Sequence, residues 1–147
     1  MAVSEHQLYE QIARYMQLQY PQVVYRFDLA ADLKLTPGQA VKHKRLHPFR
    51  GYPDFFIAEP VPRCVDGSWN NEYHGLYIEL KKEGTRLKKK DGNWAGDHIA
   101  EQAEMLDILD FRGYKAVFCV GFEEAKNQNI MKHHSQFQTE STVQLSS

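Results

Sequence analysis

The chain has 147 residues, two cysteines, a formal net charge of −1 at pH 7 and an ordinary share of hydrophobic residues. This length is typical of one domain with its own core, and no apolar run approaches the ~20 residues of a membrane-spanning helix. The N-terminus lacks a signal-peptide pattern, and the spacing of Cys64 and Cys119 suggests no disulfide, which together favour a cytoplasmic protein with free thiols.

The first third of the chain predicts a helix, a strand and a second, shorter helix. Ser4 is a good N-cap for a helix to about residue 19, with apolar residues at helical spacing on one face. Residues 23–27 are β-branched and aromatic, which predicts a strand. Thr36, followed by a proline at the first helical position, predicts a helix to about residue 45.

The middle of the chain predicts two strands. Residues 54–58 are almost continuously apolar, which is typical of a strand covered on both faces, and Pro60 and Pro62 are expected to end it. Residues 75–81 form the next predicted strand, and Asp66-Gly67 and Asn70-Asn71 mark turns between the two. We therefore expect a hairpin with a long tip.

The last third begins with a charged loop over residues 83–96. A helix follows from Asp97, as its cap, to about residue 112, and Gly113 ends it in the left-handed conformation. Next come a strand over 115–120 and a helix from Phe122 to about residue 131. The polar composition after residue 133 predicts a flexible tail over 134–147.

These elements predict one α/β domain over residues 1–133. Its core order is αβββαβ, a three-layer arrangement in which helices flank a central mixed sheet. The sheet is mixed because a strand–helix–strand crossover normally makes its two strands parallel, whereas a hairpin makes them antiparallel.

Two short acidic motifs fall on the predicted strands: Pro53-Asp54 and Glu79-Leu80-Lys81. Because side chains alternate along a strand, Glu79 and Lys81 share one face while Leu80 points into the core. If the two strands pair, both carboxylates converge on one ion, and hard oxygen ligands suit Mg²⁺ or Mn²⁺. Each motif is weak alone, since acids and lysines are common at solvated strand ends and Pro-Asp is a turn signal.

Together the motifs resemble the PD-(D/E)xK nuclease superfamily. Over roughly residues 4–131 the chain is similar to the virus-type replication-repair nuclease (VRR-NUC) family, including its small stand-alone phage members. The similarity rests on an N-terminal helix with an early glutamate and on four further segments: Gly51-Tyr52-Pro53-Asp54, Ile78-Glu79-Leu80-Lys81, Glu101-Gln102, and Tyr114-Lys115-Ala116-Val117 before Gly121.

The resemblance implies roles for individual residues. Asp54 and Glu79 would be metal ligands, Lys81 the catalytic base or a transition-state stabiliser, and Gln102 an active-site residue. It also implies that the backbone carbonyl of Leu80 binds metal, together with an acid from the first helix. Glu5 is the first choice for that acid and Glu10 the second, although either could simply favour or solvate the helix.

Basic residues are concentrated after the second acidic motif. This group, the basic loop, consists of Lys82, Arg86, Lys88, Lys89 and Lys90. They are predicted to contact DNA phosphates with a strong dependence on salt, the alternative being a solvated loop. Trp69 and Trp94 could stack on bases, but packing within the protein is the expected role.

His43 and His47 have the spacing of metal ligands on a helix but no third ligand nearby in sequence. We therefore read them as surface histidines near DNA and expect no zinc site.

The function that the resemblance implies is a metal-dependent DNA endonuclease, specifically a homodimer that resolves four-way (Holliday) junctions. The expected partners are branched DNA and a second copy of the chain, without a membrane. Alternatives are a nicking, restriction-type or single-strand-end processing nuclease, and an inactive DNA-binding module. Intact Asp54, Glu79 and Lys81 argue against the inactive module, because a DNA binder does not need two acids facing phosphates.

Overall fold

A computed structural model describes residues 3–28 and 33–128. The predicted tail over 134–147 lies outside the described residues, whereas the last helix, predicted to reach about residue 131, ends at Lys126 within them. In chain order the elements are α1 (Glu5–Gln19), β1 (Tyr25–Phe27), α2 (Pro37–Leu46), β2 (Phe55–Ile57), β3 (Val61–Val65), β4 (Ser68–Tyr73), β5 (Leu76–Lys81), α3 (Asp97–Phe111), β6 (Lys115–Val120) and α4 (Gly121–Lys126).

The central sheet has four strands in the order β1-β2-β5-β6. The pairs β1–β2 and β2–β5 are antiparallel, whereas β5 and β6 are parallel and are joined through α3. The predicted α/β core with a mixed sheet and the order αβββαβ is therefore confirmed. Helix α2 and the ribbon formed by β3 and β4 are additions to it.

Alternation along β5 separates the two faces of the sheet. Leu76, Ile78 and Leu80 are fully buried in the core that α1, β2 and α4 share. The intervening Glu79 instead contacts Gln102 on α3. One face of β5 is thus committed to the hydrophobic core, and the other is left for polar groups beneath α3.

Both N-terminal helices begin as the sequence predicts. The Ser4 hydroxyl accepts a hydrogen bond from the Gln7 backbone N–H, and the Gln7 side chain accepts one from the Ser4 N–H. Thr36 and Gln39 repeat this reciprocal arrangement at the start of α2, with Pro37 in its first turn. Capping satisfies backbone donors that have no partner within the helix, and a cap of this kind contributes about 1 kcal/mol.

The β3–β4 ribbon is a correction to the sequence prediction: Pro60 and Pro62 predict the end of a strand, yet β3 begins at Val61 and contains Pro62. Among the described strands, β3 pairs with β4 alone. The other edge of β3 therefore has no inter-strand hydrogen bonds that Pro62, which lacks an N–H, could disrupt. Asp66 and Gly67 have φ values of 50° and 78°, as a two-residue type I′ hairpin turn requires.

Smaller corrections concern the ends of elements. Strand β1 starts at Tyr25 rather than residue 23, because the Val23 N–H is used in a turn that follows α1. Gly96, not Asp97, is the N-cap of α3, and Asp97 is the acid of its first turn. Over the same described ranges, every helix is too short or too polar to span a lipid bilayer.

Candidate active site

Strand pairing brings the two predicted acidic ligands together. In the antiparallel register of β2 and β5, Phe55 lies opposite Ile78, so one further residue places Asp54 opposite Glu79. Opposite residues of an antiparallel pair project from the same face. Asp54 is 5% exposed and Glu79 is 4% exposed, so two carboxylates share a site with little water.

Asp54 is held by hydrogen bonds to both of its carboxylate oxygens. The Tyr9 hydroxyl donates to Oδ2, and the Leu80 backbone N–H donates to Oδ1 at 2.9 Å. Sequence reasoning missed Tyr9. Its signal was a single hydroxyl among the apolar residues on the buried face of α1, between Leu8 and Ile12.

Glu79 is positioned by Gln102 and Lys81. The Gln102 side chain donates from Nε2 to Glu79 Oε1 at 2.7 Å, and Lys81 Nζ lies 3.7 Å from the same oxygen. Lys81 is itself mostly buried, with 12% of its side chain exposed. The other oxygen of Glu79 and the side-chain oxygen of Gln102 are buried, and neither has a hydrogen-bond partner in the described part of the chain. The site therefore presents buried acceptors that a cation would satisfy.

Burial raises the pKa of both acids. It raises the pKa of Asp54 to about 6, although the hydrogen bonds from Tyr9 and Leu80 oppose the shift. It raises the pKa of Glu79 to about 9, with a further increase from the negative charge of Asp54 and an opposing effect of Lys81. Two ionised carboxylates in so dry a place repel each other, and a divalent cation would offset that repulsion.

Of the two candidates for the third acid, Glu5 lies nearer to Asp54 and Glu79 than Glu10 does. The charge of Glu5 contributes to the raised pKa of both Asp54 and Glu79. Glu10 is exposed and lies 3.2 Å from the His6 ring. Among the described residues, however, the carboxylates of Glu5, Asp54 and Glu79 do not all bring an oxygen within 4.8 Å of one another. The three acids would therefore have to move closer together to share one ion.

The residues present fit a hard divalent cation. Asp54 and Glu79 supply oxygen ligands, and the Leu80 backbone runs beside Asp54 because its N–H binds that carboxylate. Carboxylate and carbonyl oxygens are the ligands that Mg²⁺ and Mn²⁺ prefer.

Gly51 explains how the loop before Asp54 reaches α3. It has a φ of 69°, and a Cβ at this position would lie 2.7 Å from the Glu101 carbonyl oxygen. Only glycine combines this backbone conformation with such a close approach. The loop that carries Asp54 therefore lies directly against the turn of α3 that carries Gln102.

The basic loop is exposed but ordered by its own backbone. The Lys89 N–H donates to the Asn93 carbonyl at 2.8 Å, and the Ala95 N–H to the Leu87 carbonyl at 2.8 Å. All five basic residues of the loop are exposed. Trp94 is half-buried, with its ring 5.6 Å from that of Phe118 and the Lys88 ammonium 4.7 Å above it. Trp94 thus packs within the domain, whereas Trp69 on β4 is 61% exposed.

A cleft of about 680 Å³ opens beside Asp54. Its walls are largely aromatic and aliphatic, with several ring nitrogens and charged groups among them. The polar side chains that line the cleft include Asp28, His43, His47, Tyr52, Asp54 and His98.

Comparison with solved structures finds a chain described as a VRR_NUC domain protein, with a TM-score of 0.52 and 22% sequence identity. The match covers 92% of this chain and 88% of the other. No family model matches the sequence, and comparison with curated proteins finds no match. At this identity the likeness establishes a shared fold. It confirms, at the level of the fold, the VRR-NUC resemblance that the motifs indicated.

Proposed function

We propose that the protein is a metal-dependent nuclease that hydrolyses phosphodiester bonds in DNA. The observation that carries the proposal is the buried pair of Asp54 and Glu79 on adjacent strands, with Lys81 Nζ 3.7 Å from Glu79. The fold shared with a VRR_NUC domain protein supports it. A structural role alone does not account for two acids buried side by side at this cost.

Mg²⁺ or Mn²⁺, held by Asp54, Glu79 and the Leu80 carbonyl, would polarise the scissile phosphate and lower the pKa of a bound water. The chain's own contribution is orientation and charge. Tyr9 and the Leu80 N–H fix the Asp54 carboxylate, and Gln102 fixes Glu79. Such supporting hydrogen bonds hold ligands in place and typically raise metal affinity by about 10–100-fold.

Lys81 provides the positive charge of the site. Its ammonium lies 3.7 Å from the buried Glu79 carboxylate, and 12% of its side chain is exposed. In that position it would stabilise the negative charge that develops on the phosphate during attack, or orient the attacking water. We assign no proton transfer to it.

The exposed cations of the basic loop would guide the DNA backbone toward the site. Neutralising phosphates releases counterions, so affinity would fall steeply as salt rises. This arrangement locates DNA without reading its sequence, which suits an enzyme that recognises DNA structure.

We further propose that the substrate is branched DNA, namely a four-way junction, and that the enzyme acts as a homodimer. Two identical sites related by a twofold axis suit paired cuts on a symmetric junction. These features follow from the family resemblance. The host-cell cytoplasm would be the place of action.

The test is cleavage of a labelled panel containing a junction, a flap, a single strand and linear duplex, with Mg²⁺, with Mn²⁺ and with EDTA. Wild-type protein should cut only with metal, while Asp54→Asn and Lys81→Ala should lose cleavage but keep their circular dichroism spectra. Glu104→Gln, an exposed acid on α3, is the matched control and should remain active.

Undiminished cleavage by Asp54→Asn would refute the assigned site. DNA binding without cleavage under every metal condition would favour the inactive module instead. A monomer by sedimentation, with no preference for the junction over duplex, would replace the junction-resolving proposal by a nuclease of other specificity.

A further inference from the structure

A second set of metal-ligating side chains lines the same cleft, separately from Glu79 and Lys81. Asp28, His43 and His47 each offer one ligand atom, and these atoms all lie within 4.8 Å of one another. We propose that the three residues form a second cation site, which takes Zn²⁺ or a similar late first-row transition metal.

The two histidines are arranged by α2. They are four residues apart, so they lie one above the other on the same side of the helix. Their rings are stacked, with centroids 4.4 Å apart and an angle of 19° between the planes. The reciprocal Thr36–Gln39 cap fixes the start of this helix.

The third ligand comes from a distant part of the chain. Asp28 follows β1, and its backbone N–H donates to the Asp54 carbonyl at 2.7 Å. This hydrogen bond anchors Asp28 beside the loop of the candidate active site. Fifteen residues separate Asp28 from His43 in the sequence, so spacing alone gave no sign of the triad.

One ring nitrogen of the set lacks a partner. His43 Nε2 is buried from solvent and makes no hydrogen bond within the described part of the chain. Leaving a buried polar atom unpaired is unfavourable, because it has lost its hydrogen bonds to water. Coordination to a cation would satisfy this nitrogen.

Helix α2 has few packing contacts that would anchor it to the rest of the domain. None of its residues, 37–46, is buried, so hydrophobic packing contributes little to its position. A cation shared by His43, His47 and Asp28 would tie α2 to the end of β1. Structural metal sites of this kind contribute directly to folding stability.

The donor set selects the metal. Two imidazoles and one carboxylate suit Zn²⁺, whereas Mg²⁺ and Mn²⁺ prefer oxygen ligands alone. Tetrahedral zinc with bonds of about 2.0–2.1 Å separates its ligand atoms by about 3.4 Å. Each pair therefore needs to close by about 1.4 Å at most, which side-chain rotation provides. The fourth position would be open to water or a phosphate oxygen in the cleft.

The experiment measures metal binding rather than cleavage. The parent protein for these measurements carries both Asp54→Asn and Glu79→Gln. These changes disable the proposed active site, so the metal binding that remains is binding at any other site. Zn²⁺ titration by calorimetry should give one equivalent, and Co²⁺ should give the strong visible bands of a tetrahedral site. In this parent, His43→Gln and Asp28→Asn should each weaken binding by about 100-fold or more, beyond the usual loss for a supporting residue. His98→Gln is the matched control, because it also lines the cleft but lies outside the triad.

Thermal unfolding gives a second reading. Zn²⁺ should raise the melting temperature of the parent and of His98→Gln, but not of His43→Gln or Asp28→Asn. Metal-free spectra of these variants should coincide with that of the parent, since Asp28, His43 and His98 all lie outside the buried core. Binding by His43→Gln with unchanged affinity, or a parent that binds no stoichiometric zinc, would overturn the proposal. Either result is independent of whether the protein cleaves DNA.

Discussion

Replacing Glu79 by glutamine should stabilise the metal-free protein at neutral pH, even though Glu79 is a proposed metal ligand. The side chain is 4% exposed and faces a second buried carboxylate, so ionising it in the folded state is costly. Glutamine has nearly the same shape. Its side-chain oxygen can still accept the hydrogen bond that Gln102 now donates to Glu79.

The size of the effect follows from proton linkage. An unfolded glutamate releases its proton near the ordinary pKa of 4.5, whereas burial raises the folded-state pKa of Glu79 to about 9. Between these values the folded state holds more protons, so the free energy of unfolding falls by up to about 1.4 kcal/mol per pH unit as pH rises. The glutamate imposes no such loss below pH 4.5. From there to pH 7 the loss accumulates to about 3 kcal/mol.

Urea unfolding in EDTA, followed by circular dichroism between pH 4.5 and pH 8, measures this directly. Glu79→Gln and wild type should be similar in stability at the acidic end, and the variant should be more stable by about 3 kcal/mol at pH 7. Glu104→Gln, an exposed site on α3, should show a constant difference from wild type at all pH values. Added Mg²⁺ should stabilise wild type but not Glu79→Gln. If the Glu79→Gln difference does not grow with pH, the burial reasoning is wrong.

Three further predictions can be checked with standard assays. Gly51→Ala should lower the free energy of unfolding by about 2 kcal/mol or more, because φ is 69° and the added Cβ would meet a carbonyl oxygen. Gly38→Ala, where a Cβ meets open space, is the control and should be neutral or slightly stabilising. Equal urea midpoints for the two variants would contradict this reasoning. Tyr9→Phe removes a hydrogen-bond donor to Asp54, so the pKa of Asp54 should rise further. Calorimetry at pH 6 should then show weaker Mg²⁺ binding, and unchanged affinity would disprove the role of Tyr9 in holding Asp54. Changing residues 88–90 to glutamine should reduce the slope of log affinity against log salt by up to about 3, and an unchanged slope would place DNA elsewhere.

Local signals in the sequence predicted much of the fold. Helix caps at Ser4 and Thr36, helical spacing in α1 and strand alternation around Leu80 depend on residues close together in the chain. These signals work because capping and side-chain alternation are set by the backbone itself. The β3–β4 ribbon lies outside the predicted strands although Asp66-Gly67 is a strong hairpin signal, because prolines such as Pro60 and Pro62 are typical of strand ends.

The sequence by itself determined the types of residue available for chemistry and the shared face of Glu79 and Lys81. Only the tertiary structure decided that Tyr9 holds Asp54, that Gln102 holds Glu79, and that Asp28 lies beside His43. Each of these contacts joins segments far apart in the chain. Their distances depend on strand register and helix packing, which one-dimensional spacing does not encode.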